Sequence, residues 1–288
     1  MEIKNPGIII NFTPTGMIPT KDMTPLVPVS PREIIEEVLE ARKYGVSMVH
    51  LHARDKEGKP TFSKRIYKEI IDGIREVDGY SNNSLILGVS TSGRHWQEFE
   101  KRAECLALVG KSKPDMGSLT LSSLNFNRSA SINSPDMIQK LAGKMLERGI
   151  KPELEAFDVG MINYAKYLHT KGLLKPPFYF NLIFGNIACA QPNILNLGVM
   201  LAELPTDSLW AVAGIGDAQL KMNLNGIING GGVRIGLEDN IWFTPERKVL
   251  ATNMAFLQRI KEFCDLFQIK VASPEEVRGR LDLNIDLG

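Results

Sequence analysis

Short apolar runs rich in β-branched residues alternate along the chain with longer stretches whose apolar positions recur at helical spacing. The first run, 7–12, reads as a buried strand, and the Pro-, Thr- and Gly-rich stretch 13–29 after it as a long loop. Ser30-Pro31-Arg32-Glu33 then supplies an N-cap, a proline at the first helical position and an acid at the third, so a helix begins there. Ile34, Ile35, Val38, Leu39 and Ala41 keep helical spacing until Gly45 ends it. The same alternation predicts strands over 46–52, 84–89, 115–119, 151–157, 177–183, 209–213 and 232–236. Helices are predicted over 63–77, 97–108, 134–147, 158–169, 193–204 and 219–228. Thr244-Pro245 caps material leading to a last helix, in which Met254, Leu257, Ile260 and Phe263 share a face. Eight strand–helix units in 288 residues have the length and rhythm of a (β/α)8 TIM barrel occupying 1–288 as one domain, with a doubly wound open sheet as the alternative.

In a barrel the C-terminal ends of all strands face one site, so polar residues there are functional candidates. They are Ser90, Thr91 and Ser92 after the third strand, Ser118, Glu155 and Asn181 in the next three, Arg234 in the eighth, and Glu238-Asp239-Asn240 beyond it. The second strand ends in His50-Leu51-His52, and alternation along a strand puts both imidazoles on one face. The bland reading, a strand end with two hydrogen-bonded histidines, weakens because half of the chain's four histidines sit here. A closed barrel brings its last strand beside its first and within reach of its second, so Glu238 can complete the set. Two imidazoles and one carboxylate with an open position match the protein ligands of a catalytic zinc. His95 and His169 read as surface or structural residues. Gly214-Ile215-Gly216 and Gly230-Gly231-Gly232 lack the spacing of a dinucleotide fingerprint.

Composition narrows the classes. A net charge of +1 without long runs of either sign predicts no nucleic-acid or acidic-membrane surface. Cys105, Cys189 and Cys264 are odd in number and scattered, which suggests neither a disulfide framework nor a Cys-rich zinc site. No apolar run approaches the ~20 residues of a membrane span, and no basic segment precedes an apolar core at the N-terminus, so a cytoplasmic protein is expected.

An ordered set of motifs carries a resemblance. His50-Leu-His52-x-Arg54-Asp55, Gly58-Lys-Pro-Thr61, Ser90-Thr91, Ser122-Ser-Leu-Asn-Phe126, Lys151-Pro-Glu-Leu-Glu155, Phe157-Asp158-x-Gly160-Met161, Val212-Ala-Gly-Ile-Gly216 and Val233-Arg-Ile-Gly-Leu-Glu-Asp-Asn240 together resemble the β-keto acid cleavage enzymes, whose type member acts on 3-keto-5-aminohexanoate. The resemblance implies a zinc-dependent (β/α)8 enzyme, usually tetrameric, that converts a β-keto acid and acetyl-CoA into acetoacetate and a new CoA thioester. By the same resemblance one zinc is held by His50, His52 and Glu238, Asp239 is the catalytic acid, and Arg234 works with it. Ser90, Thr91 and Ser118 would hold the substrate carboxylate, Ser118 replacing a threonine of the type member.

Departures from the family pattern bear on specificity. Ile18 stands where the type member recognises its substrate amine with an acid, so an uncharged, mainly apolar tail is expected, as in 3-oxopentanoate or 3-oxohexanoate. Asp217-Ala218 replaces a common Arg-His, and Gly232 a histidine. Two other classes stay open: a zinc hydrolase of the amidohydrolase type, and a non-catalytic metabolite-binding relative. The first normally needs further metal histidines, and intact Arg234, Glu238 and Asp239 argue against the second.

Overall fold

The computed structural model describes residues 6–285. The expected domain bounds also take in 1–5 and 286–288, which lie outside the described residues. Eight parallel strands close into a barrel: β1 (Ile10–Phe12), β2 (Met48–Leu51), β3 (Ile86–Val89), β4 (Met116–Thr120), β5 (Lys151–Ala156), β6 (Phe178–Phe184), β7 (Ser208–Gly214) and β8 (Gly232–Ile235). Each pairs with its neighbours in sequence, and β1 closes the ring on β8 with Asn11 opposite Arg234. The TIM-barrel expectation therefore holds and the open sheet does not.

Helices α1 (Pro31–Ala41), α2 (Lys64–Asp78), α3 (Phe99–Arg102), α4 (Pro135–Arg148), α5 (Val159–Thr170), α6 (Ile194–Glu203), α7 (Ala218–Ile228) and α8 (Asn253–Leu266) follow the strands in turn. The capping box read at the start of α1 is formed: Ser30 Oγ accepts from Glu33 N, and the Glu33 carboxylate accepts from Ser30 N. Gly45, at φ 84°, ends the 3-10 turn that extends α1.

Three elements differ from the sequence reading. The stretch 97–108 is a single turn of α-helix followed by a 3-10 turn, with the Arg102 guanidinium buried and donating to Thr91 O, Ile132 O and Asn133 Oδ1. Thr252, not Thr244, caps α8, its hydroxyl accepting from Ala255 N at 2.9 Å. A further helix, α9 (Pro274–Leu281), is present, and its signal was Ser273-Pro274-Glu275-Glu276, the same capping-box spacing that opens α1.

Helix α9 sets which end of the barrel is free for chemistry. Val277 and Leu281 pack with Ile9, Met48, Ile86, Met116 and Tyr179, filling the barrel at the N-terminal ends of the strands. Arg278 anchors the helix: its guanidinium donates to Ser84 O, Leu85 O and both oxygens of Asp115, and Asp115 is shared with Arg75. Without Arg278, Asp115 keeps Arg75 and Leu87 N, but the donations to Ser84 O and Leu85 O are lost. Arg278→Met is therefore expected to lower unfolding stability by about 2–3 kcal/mol in a denaturant titration. A loss below about 1 kcal/mol would show that α9 holds without the clamp.

Candidate active site

The middle of this barrel is polar, where branched apolar side chains usually fill such a core. Asn11, His50, Ser118, Glu153, Asn181 and Arg234 are all buried there. Glu153 organises the layer. Its Oε2 lies 2.7 Å from His50 Nδ1, and its Oε1 accepts from Asn11 Nδ2 and Asn181 Nδ2, each at 2.6 Å. Gly88 faces this carboxylate across the barrel, where an added Cβ would sit 3.3 Å from Glu153 Oε2. A carboxylate on Nδ1 fixes the ring and turns Nε2 toward the C-terminal mouth.

At that mouth His50 Nε2 and His52 Nε2 lie 3.0 Å apart. Glu238 Oε1 is 3.2 Å from His52 Nε2 and 4.0 Å from His50 Nε2. Glu238 is delivered by the turn after β8. Gly236 passes so close to Thr13 that a Cβ there would meet its carbonyl oxygen at 2.1 Å, and Glu238 N donates to Thr13 O at 3.2 Å. Gly16, at φ +67°, lies over Glu238, where a Cβ would meet Glu238 Cγ at 2.6 Å. Arg54 pins this β1 loop by donating to Gly16 O and Pro19 O.

Charge follows the same convergence. Burial alone would lower the His50 pKa, but Glu153 and Glu238 outweigh it and raise it to about 9. Burial lowers His52, with Glu238 opposing. Glu238 is held well below the usual carboxylate range: burial opposes this, and His52, Arg234 and His50 prevail. Arg234 donates from Nη1 to Glu155, from Nη2 to Glu238 and from Nε to Asp239 Oδ2 at 3.2 Å. Divided among three carboxylates, it does not keep Asp239 low. Burial, reinforced by Glu238, raises Asp239 to about 6 against the pull of Arg234.

These residues suit a divalent ion. The three possible ligand atoms lie within 4.8 Å of one another, and metal–ligand bonds of about 2.0–2.2 Å require tetrahedral edges near 3.3 Å. Glu238 Oε2 is buried with no hydrogen-bond partner, a cost that a cation would remove. The donor set of imidazole and carboxylate is one that zinc accepts.

The cluster forms the floor of a cavity of about 650 Å³, whose walls include Met17, Ile18, Ser90, Ser92, Phe126 and Trp242. Of the residues expected at the site, His50, His52, Ser90, Arg234, Glu238, Asp239 and Ile18 all line it. Thr91 and Ser118 do not. They satisfy one another instead: Thr91 N donates to Ser118 Oγ at 3.1 Å, and Thr91 Oγ1 to Ser118 O at 2.6 Å. His95 is exposed beside Trp96, and His169 bonds Leu174 O away from the cavity. Asp217 forms a two-point ion pair with Arg247 on the rim, and Gly232 lies against Ile9, where a Cβ would meet Ile9 O at 2.4 Å. Sequence reasoning missed Glu153 and Asn11. Two glutamates at i and i+2 in Lys-Pro-Glu-Leu-Glu were a signal that both point inward.

No described helix is long and apolar enough to cross a membrane. The chain resembles known enzymes over nearly its whole length. It is 32% identical to 3-keto-5-aminohexanoate cleavage enzyme of Fusobacterium nucleatum subsp. nucleatum, over 96% of this chain and 98% of the relative. It is 33% identical to 3-oxoadipate:acetyl-CoA acetyltransferase of Cupriavidus necator, over 96% of this chain and 94% of the relative. Among solved structures, apo ObcA superposes with a TM-score of 0.77 at 19% identity, over 91% of this chain and 66% of that longer one, a likeness of fold. The beta-keto acid cleavage enzyme family model matches residues 7–283, and the chain is a member of that family.

Proposed function

We propose that this protein exchanges acyl groups between a β-keto acid and acetyl-CoA, giving acetoacetate and a new acyl-CoA, with one zinc ion held by His50, His52 and Glu238. The observation that carries the reading is the meeting, on one cavity floor, of that ligand set with an Asp239–Arg234 pair. The relatives named as acetyl-CoA transferases of keto acids support the cosubstrate. A hydrolase of the amidohydrolase type has less support, since no further histidine joins the cluster among the described residues.

When bound, the ion would polarise the ketone and carboxylate oxygens of the substrate and so acidify the carbon between them. Asp239 takes that proton. Its Oδ2 is held by Arg234 Nε while Oδ1 has no hydrogen-bond partner among the described residues, and a pKa near 6 leaves it ionised yet basic at neutral pH. Arg234 orients the base. The α-carbon forms a bond to the acetyl carbonyl and CoA leaves as thiolate. The thiolate adds to the original ketone carbon, the older C–C bond breaks, and the electron pair returns to the α-carbon of acetoacetate, which recovers the proton. Turnover with a panel of β-keto acids and acetyl-CoA, followed by mass detection of acetoacetate and acyl-CoA, tests the reaction; absence of both products from every acid overturns it.

A cytoplasmic, tetrameric enzyme belongs to the same reading. Ile194, Leu195 and Val199 on α6 expose an apolar surface that suits contact between copies.

Specificity turns on Ile18, which is 45% exposed on the cavity wall with no carboxylate at its position. An ammonium placed there lacks a partner, but partial exposure limits the cost to roughly 1–2 kcal/mol, about tenfold or somewhat more. Wild-type kcat/KM is expected to favour 3-oxohexanoate over 3-keto-5-aminohexanoate by that factor, and Ile18→Glu to reverse the order. A wild-type preference for the cationic acid would remove Ile18 from the specificity pocket and leave the metal chemistry standing.

A further inference from the structure

The cavity needs a group that receives a negative charge, and among the described residues four arginines line it: Arg94, Arg128, Arg234 and Arg247. Arg234 is divided among three carboxylates, Arg247 is clamped by Asp217, and Arg128 is exposed to solvent. The hydroxyls expected to hold the substrate carboxylate are engaged with backbone: Thr91 Oγ1 donates to Ser118 O, and Ser118 Oγ accepts from Thr91 N. Arg94 is different. It comes from the same loop as Ser90 and Ser92, and its guanidinium lies 3.6 Å over the Phe126 ring. That guanidinium makes no hydrogen bond or ion pair among the described residues. Burial lowers its pKa, so the cation is partly withdrawn from water with only an aromatic face beneath it. A guanidinium fixed on one face by a ring keeps its edge donors free for a two-point carboxylate contact.

We propose that Arg94, stacked on Phe126, is the anion-recognition subsite of the cavity and takes a carboxylate of the keto acid. The inference rests on the keto-acid reading above. The carboxylate is either the one every β-keto acid carries beside its reacting carbon or a second one at the far end of a dicarboxylic acid. The two sources share their chemistry and separate by experiment.

Binding is measured by calorimetry without acetyl-CoA, so that no turnover intervenes. The probes are 3-oxohexanoate, 3-oxoadipate and ethyl 3-oxohexanoate, which lacks a free carboxylate, and the proteins are metal-loaded wild type, Arg94→Gln and Arg94→Lys. Arg94→Gln is expected to weaken acid binding at least tenfold and ester binding less than twofold, with Arg94→Lys between, since charge survives but the planar fork does not. An equal loss for both acids assigns the carboxylate beside the reacting carbon. A loss confined to 3-oxoadipate assigns the distal one and makes the tail anionic rather than neutral. Acid binding within twofold of wild type in Arg94→Gln, or a loss seen only in a parallel acetyl-CoA titration, overturns the subsite. Wild type that binds neither acid overturns both readings. Acid binding through Arg94 without acyl exchange overturns the acyl-transfer reading alone.

Discussion

The double variant His50→Ala, His52→Ala is expected to lose the bound divalent metal, about one ion per chain in wild type, and all measurable turnover. The physical case rests on how little else could hold an ion there. Among the described residues the two imidazoles and Glu238 form the only cluster of potential ligands close enough together. A single carboxylate already bonded to Arg234 is a weak site. The imidazoles are presented at little cost, because Glu153 orients His50 before any ion arrives and is itself held by Asn11 and Asn181. Removing His50 leaves Glu153 buried with only those two amides, so the double variant will also be less stable. His52→Asn separates the effects, since Glu153 keeps its partner while a ligand is lost. Elemental analysis after gel filtration, with thermal unfolding alongside, checks both proteins. Full metal occupancy in the double variant would sink the site, and chelation of wild type should abolish activity that added zinc restores.

The fold was legible because its signals are local. Capping residues, helical spacing and strand runs each occupy a few positions, and a barrel repeats them. The convergence of the proposed ligand set was legible for a related reason: two members are i and i+2 on one strand, and the third follows the strand that must close beside the first. What escaped depends on contacts between distant residues. Asn11 looked like part of an apolar strand, yet it bonds Glu153 and faces Asn181 across the barrel. Nothing in its neighbours along the chain announces that. Thr91 and Ser118 matched the expected residue types, but a hydroxyl acts on whatever lies nearest, and here each finds the other's backbone. Arg94 was passed over because a lone arginine in a polar loop is common. Its significance comes from Phe126 below it and from the engagement of Arg234 and Arg247 with carboxylates.

Glu238 and Asp239 are neighbours in sequence with different proposed duties, and two substitutions are expected to separate them. Both are partly buried beside Arg234, yet their environments push them apart. The histidines and Arg234 hold Glu238 well down, while burial and the Glu238 charge raise Asp239 to about 6. A permanently ionised carboxylate with an unpartnered oxygen suits an ion; a carboxylate that titrates near neutrality suits proton transfer. Asp239→Asn removes the base and leaves the three ligands in place. It should retain about one metal ion per chain and lose roughly 10²–10⁴-fold in kcat, the range that positioned acid–base groups supply. Glu238→Gln keeps Asp239 but replaces a charged ligand with a neutral amide. Its metal affinity should fall at least about tenfold, with activity partly recovered at high added zinc. The paired measurement is metal affinity by competition with a chelator and kcat with metal in excess. If the two variants lose metal and turnover in parallel, or if excess zinc rescues Asp239→Asn as well as Glu238→Gln, Asp239 is acting through the ion site and not as the base.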